Sequence, residues 1–292
     1  MKYILILLVM LGCAQKGNKE YTPYPANLTA LSQEYREMYA PGPSGFILTD
    51  KCDSLLFSSL LGAAGLPVEV KAAELSPGQW LRRPTSLPEC YEAGESRSTI
   101  SRDMLLGVMV WAWEKKDLQT MLSLWEYGKA NSWVMGEGRL GGADTYFSPL
   151  YQGTLAQLIF RLGGFDDDRR HLPWTATSCD GFVCGLGTVH LFLRAQLYGS
   201  LPQTAYLFLE DAMRKQPMNP LPRALIPGQY GAIGELLQLG PWPSGRLPTS
   251  KDSCSPWPMH NGDFDLCPDR EETHGGWDVI FLDYMMRTLG GA

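Results

Sequence analysis

The chain predicts a mainly all-α protein built of helical hairpins, on three observations. Apolar residues recur at helical spacing nearly everywhere after Asn27. Some of the periodic segments are joined by very short turns, as at Lys116-Asp117, which forces neighbours to run antiparallel. No run of alternating apolar and polar residues is long enough to make a convincing strand. With 45% hydrophobic and 19% charged residues the composition is that of a globular protein. Residues 28–292 are long enough to bury a substantial core as a single helical domain.

The N-terminus stands apart from that body. Met1-Lys2-Tyr3 precedes an unbroken apolar run from Ile4 to Leu11, the charged start and short apolar centre of a secretory signal. The run is well short of the roughly 20 apolar residues of a membrane-spanning helix. Met10-Leu11-Gly12-Cys13 resembles a lipobox, the cleavage motif of bacterial lipoproteins, with Met10 where leucine is usual. The resemblance implies a signal peptide over residues 1–12, cleavage before Cys13, and a lipid on that cysteine that anchors the protein to a membrane of the cell envelope. Ala14, rather than aspartate, follows the cysteine, which by resemblance to Gram-negative sorting rules points to the outer membrane. Residues 13–27 are polar and then punctuated by Pro23 and Pro25, as a tether would be.

The helices follow in order. Asn27 to Met38 stops at Pro41-Gly42-Pro43, and Asp53 to Ala64, with Leu55, Leu56, Leu60 and Leu61 as its core face, stops at Gly65-Leu66-Pro67. The polar stretch from Glu74 to Thr99 has the length of a loop that covers a site. Arg102 to Lys115, with Ser101 or Thr99 as N-cap, forms a hairpin with Leu118 to Asn131. Leu150 to Leu162 ends in Gly163-Gly164, Gly181 to Tyr198 ends in Gly199, and Pro202 to Arg214 and Gln229 to Leu239 follow. A segment crowded with Pro, Ser, Gly, Asp and Trp, 241–272, is expected to wrap the body before a last helix from Trp277 to Leu289. Hairpins with longer loops at the opposite end make an α/α toroid-like array, and no 34-residue repeat marks a solenoid.

Seven cysteines are present, and setting Cys13 aside for lipid leaves six. An even remainder fits up to three disulfides in an oxidising compartment. Cys179 with Cys184 and Cys254 with Cys267 are near in sequence and bracket turn-rich segments, so these pair, the second stapling the C-terminal segment, and Cys52 is left with Cys90. Neither Cys-x-x-Cys spacing nor a His cluster is present, and no metal is expected. No Gly-x-Ser-x-Gly elbow, phosphate-cradling loop with Lys, or His-Glu-x-x-His occurs, so serine hydrolase, nucleotide enzyme and zinc protease fall away and no cofactor is expected. The net charge is −6, or −7 once Lys2 leaves with the signal, and no basic cluster offers a footprint for nucleic acid. Nine tryptophans and thirteen tyrosines mostly fill the core, although such rings also stack on sugars.

Four clusters carry candidate chemistry. Ser98-Thr99-Ile100-Ser101-Arg102-Asp103 opens a strongly apolar helix; Asp103 suits the helix dipole, and Arg102 beside it can orient a hydroxyl-rich ligand. Asp53-Ser54 sits at another helix start, and two carboxylates facing one cleft are what glycoside hydrolysis needs. Arg139 to Pro149 is a turn that presents Asp144 and Tyr146. His274-Gly275-Gly276-Trp277-Asp278 brings an imidazole, a ring and an acid to the start of the last helix. His190, on an apolar helix face, reads as a satisfied core histidine.

The hairpin layout, together with Ser101-Arg102-Asp103 and the following Gly107, resembles the helical (α/α) toroids of carbohydrate-active enzymes, among them glycoside hydrolases and polysaccharide lyases. What the resemblance implies is a cleft lined by helix N-termini, acidic residues for hydrolysis and aromatic platforms for a glycan substrate. Asp103 and Asp53 would then be acid and base, with Arg102, Asp144, Tyr146, His274, Trp277 and Asp278 binding the glycan. A lyase would shift the base to Tyr146 or His274. An envelope lipoprotein that binds glycan or a partner protein without turnover stays open beside both. The chain is shorter than the larger toroids and has room for fewer helix pairs.

Overall fold

The structure is a computed structural model that describes residues 25–38, 45–47, 53–87, 99–138, 143–165, 172–180, 182–217, 219–239 and 277–290. These residues are mainly helical. The helices are α1 (Ala26–Met38), α2 (Ser54–Ala63), α3 (Arg102–Glu114), α4 (Leu118–Ala130), α5 (Pro149–Arg161), α6 (Phe182–Tyr198), α7 (Gln203–Lys215), α8 (Leu221–Ala224), α9 (Tyr230–Leu239) and α10 (Trp277–Gly290). A single 3-10 turn, Val70–Ala73, follows α2. The expected helices recur with ends shifted by a residue or so, whereas α8 is a short turn that periodicity does not reveal.

Two small antiparallel hairpins stand where only loops are expected. β1 (Glu74–Ser76) pairs with β2 (Gln79–Trp80), and β3 (Val134–Glu137) pairs with β4 (Ala143–Tyr146). Strands of two to four residues are too short for a period of two to show in a sequence. The first turns through Pro77-Gly78, with Gly78 at φ +79° and its N–H bonded to the Glu74 carboxylate.

Helix composition explains which helices go inside. α2 (SLLFSSLLGA) has apolar or small residues on every side, and all ten of its residues are buried. α3 is buried from Met104 to Ala112 and α10 from Trp277 to Met286. α7 instead buries one stripe, Ala205, Phe208, Leu209 and Ala212, and turns Glu210 and Arg214 outward, the pattern of an outer helix.

Close contacts give the helix directions. A Cβ on Gly107 of α3 would lie 3.1 Å from Leu56 and 3.2 Å from Ser59, and one on Gly62 would lie 3.1 Å from Trp111. The contacts advance together along both helices, so α2 and α3 run in the same sense. α10 follows them: Trp277 meets Phe57 near the start of α2, with ring centroids 5.2 Å apart, and Tyr284 donates a hydrogen bond to Glu114 at the end of α3. α4 returns beside α3 and its start meets the end of α5, where Gly164 lies against Leu118. α5 therefore runs with α3. α6 does so too, since His190 meets Tyr151 early in α5 while Gln196 accepts a hydrogen bond from Trp113 late in α3. α1 packs against α10, with Ser32 bonded to Asp283.

The predicted pair Cys179 and Cys184 forms a disulfide that ties residues 172–180 to the first turn of α6. Cys13, Cys52, Cys90, Cys254 and Cys267 lie outside the described residues, as do the signal, nearly all of the tether and the 241–272 segment.

Candidate functional site

The shared sense of α2 and α3 brings their starts to the same end. Carried back one turn from Gly107 and Leu56, the register sets Asp103 level with Asp53 at the same end of the bundle. The segment around Arg82 ties the two helix starts together: its carbonyl accepts from Leu55 N and its N–H donates to the Thr99 carbonyl. The Arg82 guanidinium also pairs with the Asp53 carboxylate, 3.6 Å away, and both side chains are largely buried. Sequence reading did not single out Arg82, because nothing local marks it as a partner of a residue 29 positions away.

The β3–β4 hairpin reaches the same end. Thr99 donates from its N–H to the Glu137 carbonyl and accepts from Glu137 N on its hydroxyl, and Thr145 donates to the Ile100 carbonyl at 2.6 Å. Tyr146 projects beside this seam with 54% of its surface exposed, and Arg102 is exposed on the first turn of α3. Ser101 occupies the N-cap position with extended backbone, but its hydroxyl makes no capping bond and, buried, has no partner among the described residues. Asp103 stands in the first turn of α3, two residues after Ser101.

Beneath this rim lies a polar core. Tyr151 of α5 is buried, and burial pushes its hydroxyl well above the usual range, reinforced by Asp103 and opposed by Arg102. Its ring tilts against His190 at 4.8 Å and Phe147 at 5.4 Å. Thr154 donates to the Leu150 carbonyl, so it accepts from His190 Nε2 at 2.8 Å, which sets the histidine tautomer. Burial, then the nearby Arg194, lowers the imidazole pKa to about 3. His190 is thus a neutral, hydrogen-bonded core residue.

The predicted ligand-binding residues divide. Asp53, Arg102, Asp103 and Tyr146 gather at one end of the bundle. Asp144 lies in β4 beside Thr145, and its side chain is outside the described residues, as is all of His274. Trp277 and Asp278 stand at the start of α10 near that end and are buried there: Trp277 is 1% exposed and packs on Phe57, and Asp278 is fully buried and accepts from Val279 N. The apolar run that follows them draws the whole first turn of α10 inward. Among the described residues no group of three or more His, Cys, Asp or Glu is placed to hold a metal, and no helix is long and apolar enough to cross a membrane.

No family model matches the chain, and neither a curated protein nor a solved structure matches it at a significant level.

Proposed function

We propose that the protein is an exported, lipid-anchored envelope protein whose helical domain hydrolyses glycosidic bonds with the carboxylates Asp103 and Asp53. The observation that carries this reading is the parallel register of α2 and α3, which sets both acids at one end of the bundle. Arg102 and Tyr146, exposed at that end, would orient hydroxyls and stack on a sugar ring. The helices that share a sense, with α4 running back beside them, are the feature that supports an α/α toroid-like arrangement. Arg82 gives Asp53 a cationic neighbour, which suits a carboxylate that works in its charged form as base or nucleophile. Asp103 is then the acid.

Asp103→Asn keeps a side chain that suits a helix start, so the variant should fold with an unchanged circular dichroism spectrum. Release of reducing ends from glycan should fall by roughly 10²–10⁴-fold, the usual contribution of a general acid. Full activity in the folded variant would sink the assignment. Binding without turnover is the second reading, and the Arg82 pair favours it, because a carboxylate held by an arginine can be wholly structural. In that case the wild-type protein retains glycan and releases no reducing ends.

A further inference from the structure

Among the described residues, Arg194 is a buried cation with no carboxylate beside it. It lies on α6 one turn beyond His190 and is 3% exposed. Its Nη2 donates to the Leu172 carbonyl at 2.7 Å, and its guanidinium covers the Tyr198 ring at 5.2 Å. Its Nε is buried and meets no acceptor, and no carboxylate pairs with it among the described residues. Burial lowers its pKa, but a guanidinium starts so high that it keeps its charge. His190 beside it, hydrogen-bonded to Thr154, is neutral or positive in either protonation state and so cannot supply a counter-charge. A full charge inside a core, with one neutral acceptor, is costly to folding, and a methionine or leucine of like size would avoid the cost.

The cover over this arginine is the extended segment 172–180. Its backbone is pinned at Trp174, whose carbonyl accepts from Thr204, and at Cys179, which donates its N–H to Asp211 and forms the disulfide with Cys184. Its Leu172 end is held by the Arg194 bond, and the Leu172 side chain is exposed. We propose that Arg194 anchors a carboxylate-binding site, in which the ligand's carboxylate replaces the Leu172 carbonyl and completes the side-on fork with Nε. A planar carboxylate matches that edge of a guanidinium, and the Tyr198 ring lies against the guanidinium with aromatic surface. The carboxylate can come from an acidic sugar unit or from a small free acid; only the first source rests on the glycan reading above.

Thermal melting of the full chain with sodium glucuronate, sodium acetate, sodium sulfate or sodium chloride at matched ionic strength tests the site. A saturable rise in Tm with glucuronate alone assigns an acidic sugar. A rise with glucuronate and acetate alike assigns the carboxylate itself, and either result must vanish in Arg194→Met. Arg194→Lys keeps the charge without the fork and should bind about tenfold more weakly; it carries the comparison if the methionine variant does not fold. No rise with either carboxylate, an equal rise with sulfate, or an unchanged rise in the variants would overturn the proposal. Loss of the hydrolase reading through Asp103→Asn leaves the acetate result standing, so the two can fail separately.

Discussion

At the scale of single residues, His190 shows how burial decides chemistry. An imidazole in an unfolded chain titrates near 6.5, whereas burial and the neighbouring Arg194 lower it to about 3 in the fold. Between those values the unfolded chain takes up a proton that the folded protein refuses, so stability should fall as pH drops from about 6.5 to about 3. Urea midpoints measured across that window should lose part of this slope in His190→Gln, and an identical slope in the variant would show that other groups carry it. His190 was legible in the sequence because it interrupts an apolar helix face. Arg194 sits in the same run, GTVHLFLRAQLY, but a lone cation there reads equally as a residue whose stem packs inside and whose head reaches water. Only the buried position separates the two.

At the scale of elements, α2, α3, α4 and α5 all stop the same way. In each, an N–H bonds to the carbonyl five residues earlier, Leu66 to Leu61, Asp117 to Ala112, Trp133 to Gly128 and Gly164 to Ile159, with a left-handed residue just before the donor. Gly65 and Gly163 take that position in two helices, and glycine announces the stop in the sequence. Lys116 at φ 54° and Ser132 at φ 52° take it in the others, and their composition announces nothing. The short Lys116-Asp117 turn was legible instead through its length and through Asp117, whose carboxylate caps α4 by accepting from Thr120 N. Ser132 is exposed, so Ser132→Gly should relieve backbone strain and stabilise the protein by about 0.5–1 kcal/mol in urea unfolding. A destabilised variant would mean that the serine side chain matters more than its backbone.

At the scale of the whole molecule, α10 closes the fold. It packs beside α2 and α6 and holds α1 through Asp283, which accepts from Ser32 at 3.0 Å and pairs with Arg287 at 2.7 Å and Arg36 at 3.8 Å. Asp283 is buried, while Arg36 is partly and Arg287 largely exposed, so most of the loss on truncation comes from hydrogen bonds left unmade. Asp283→Ala should cost about 1–3 kcal/mol, read as a lower urea midpoint, and should let protease cut α1 sooner. Protection of α1 equal to wild type would show that apolar contacts alone hold it. The same closure explains why Trp277 and Asp278 could not be placed from sequence: their Gly-rich neighbourhood reads as a site, but the apolar face that follows pulls them into the core.

Read alone, the sequence determined the mainly helical class, most helix positions and the Cys179–Cys184 pair, because each depends on residues close together in the chain. Periodicity, caps, stop glycines and a five-residue cysteine spacing are local signals. It also nominated Asp53, Arg102, Asp103 and Tyr146 from their places at helix starts and in a turn. Tertiary structure alone decided which of the nominees share one end of the bundle, that Arg82 pairs with Asp53, and that Arg194 is buried without a counter-ion among the described residues. Those outcomes depend on the direction in which helices distant in the chain pack against one another. That direction is set by close approaches such as Gly107 on Leu56, which are properties of two surfaces at once.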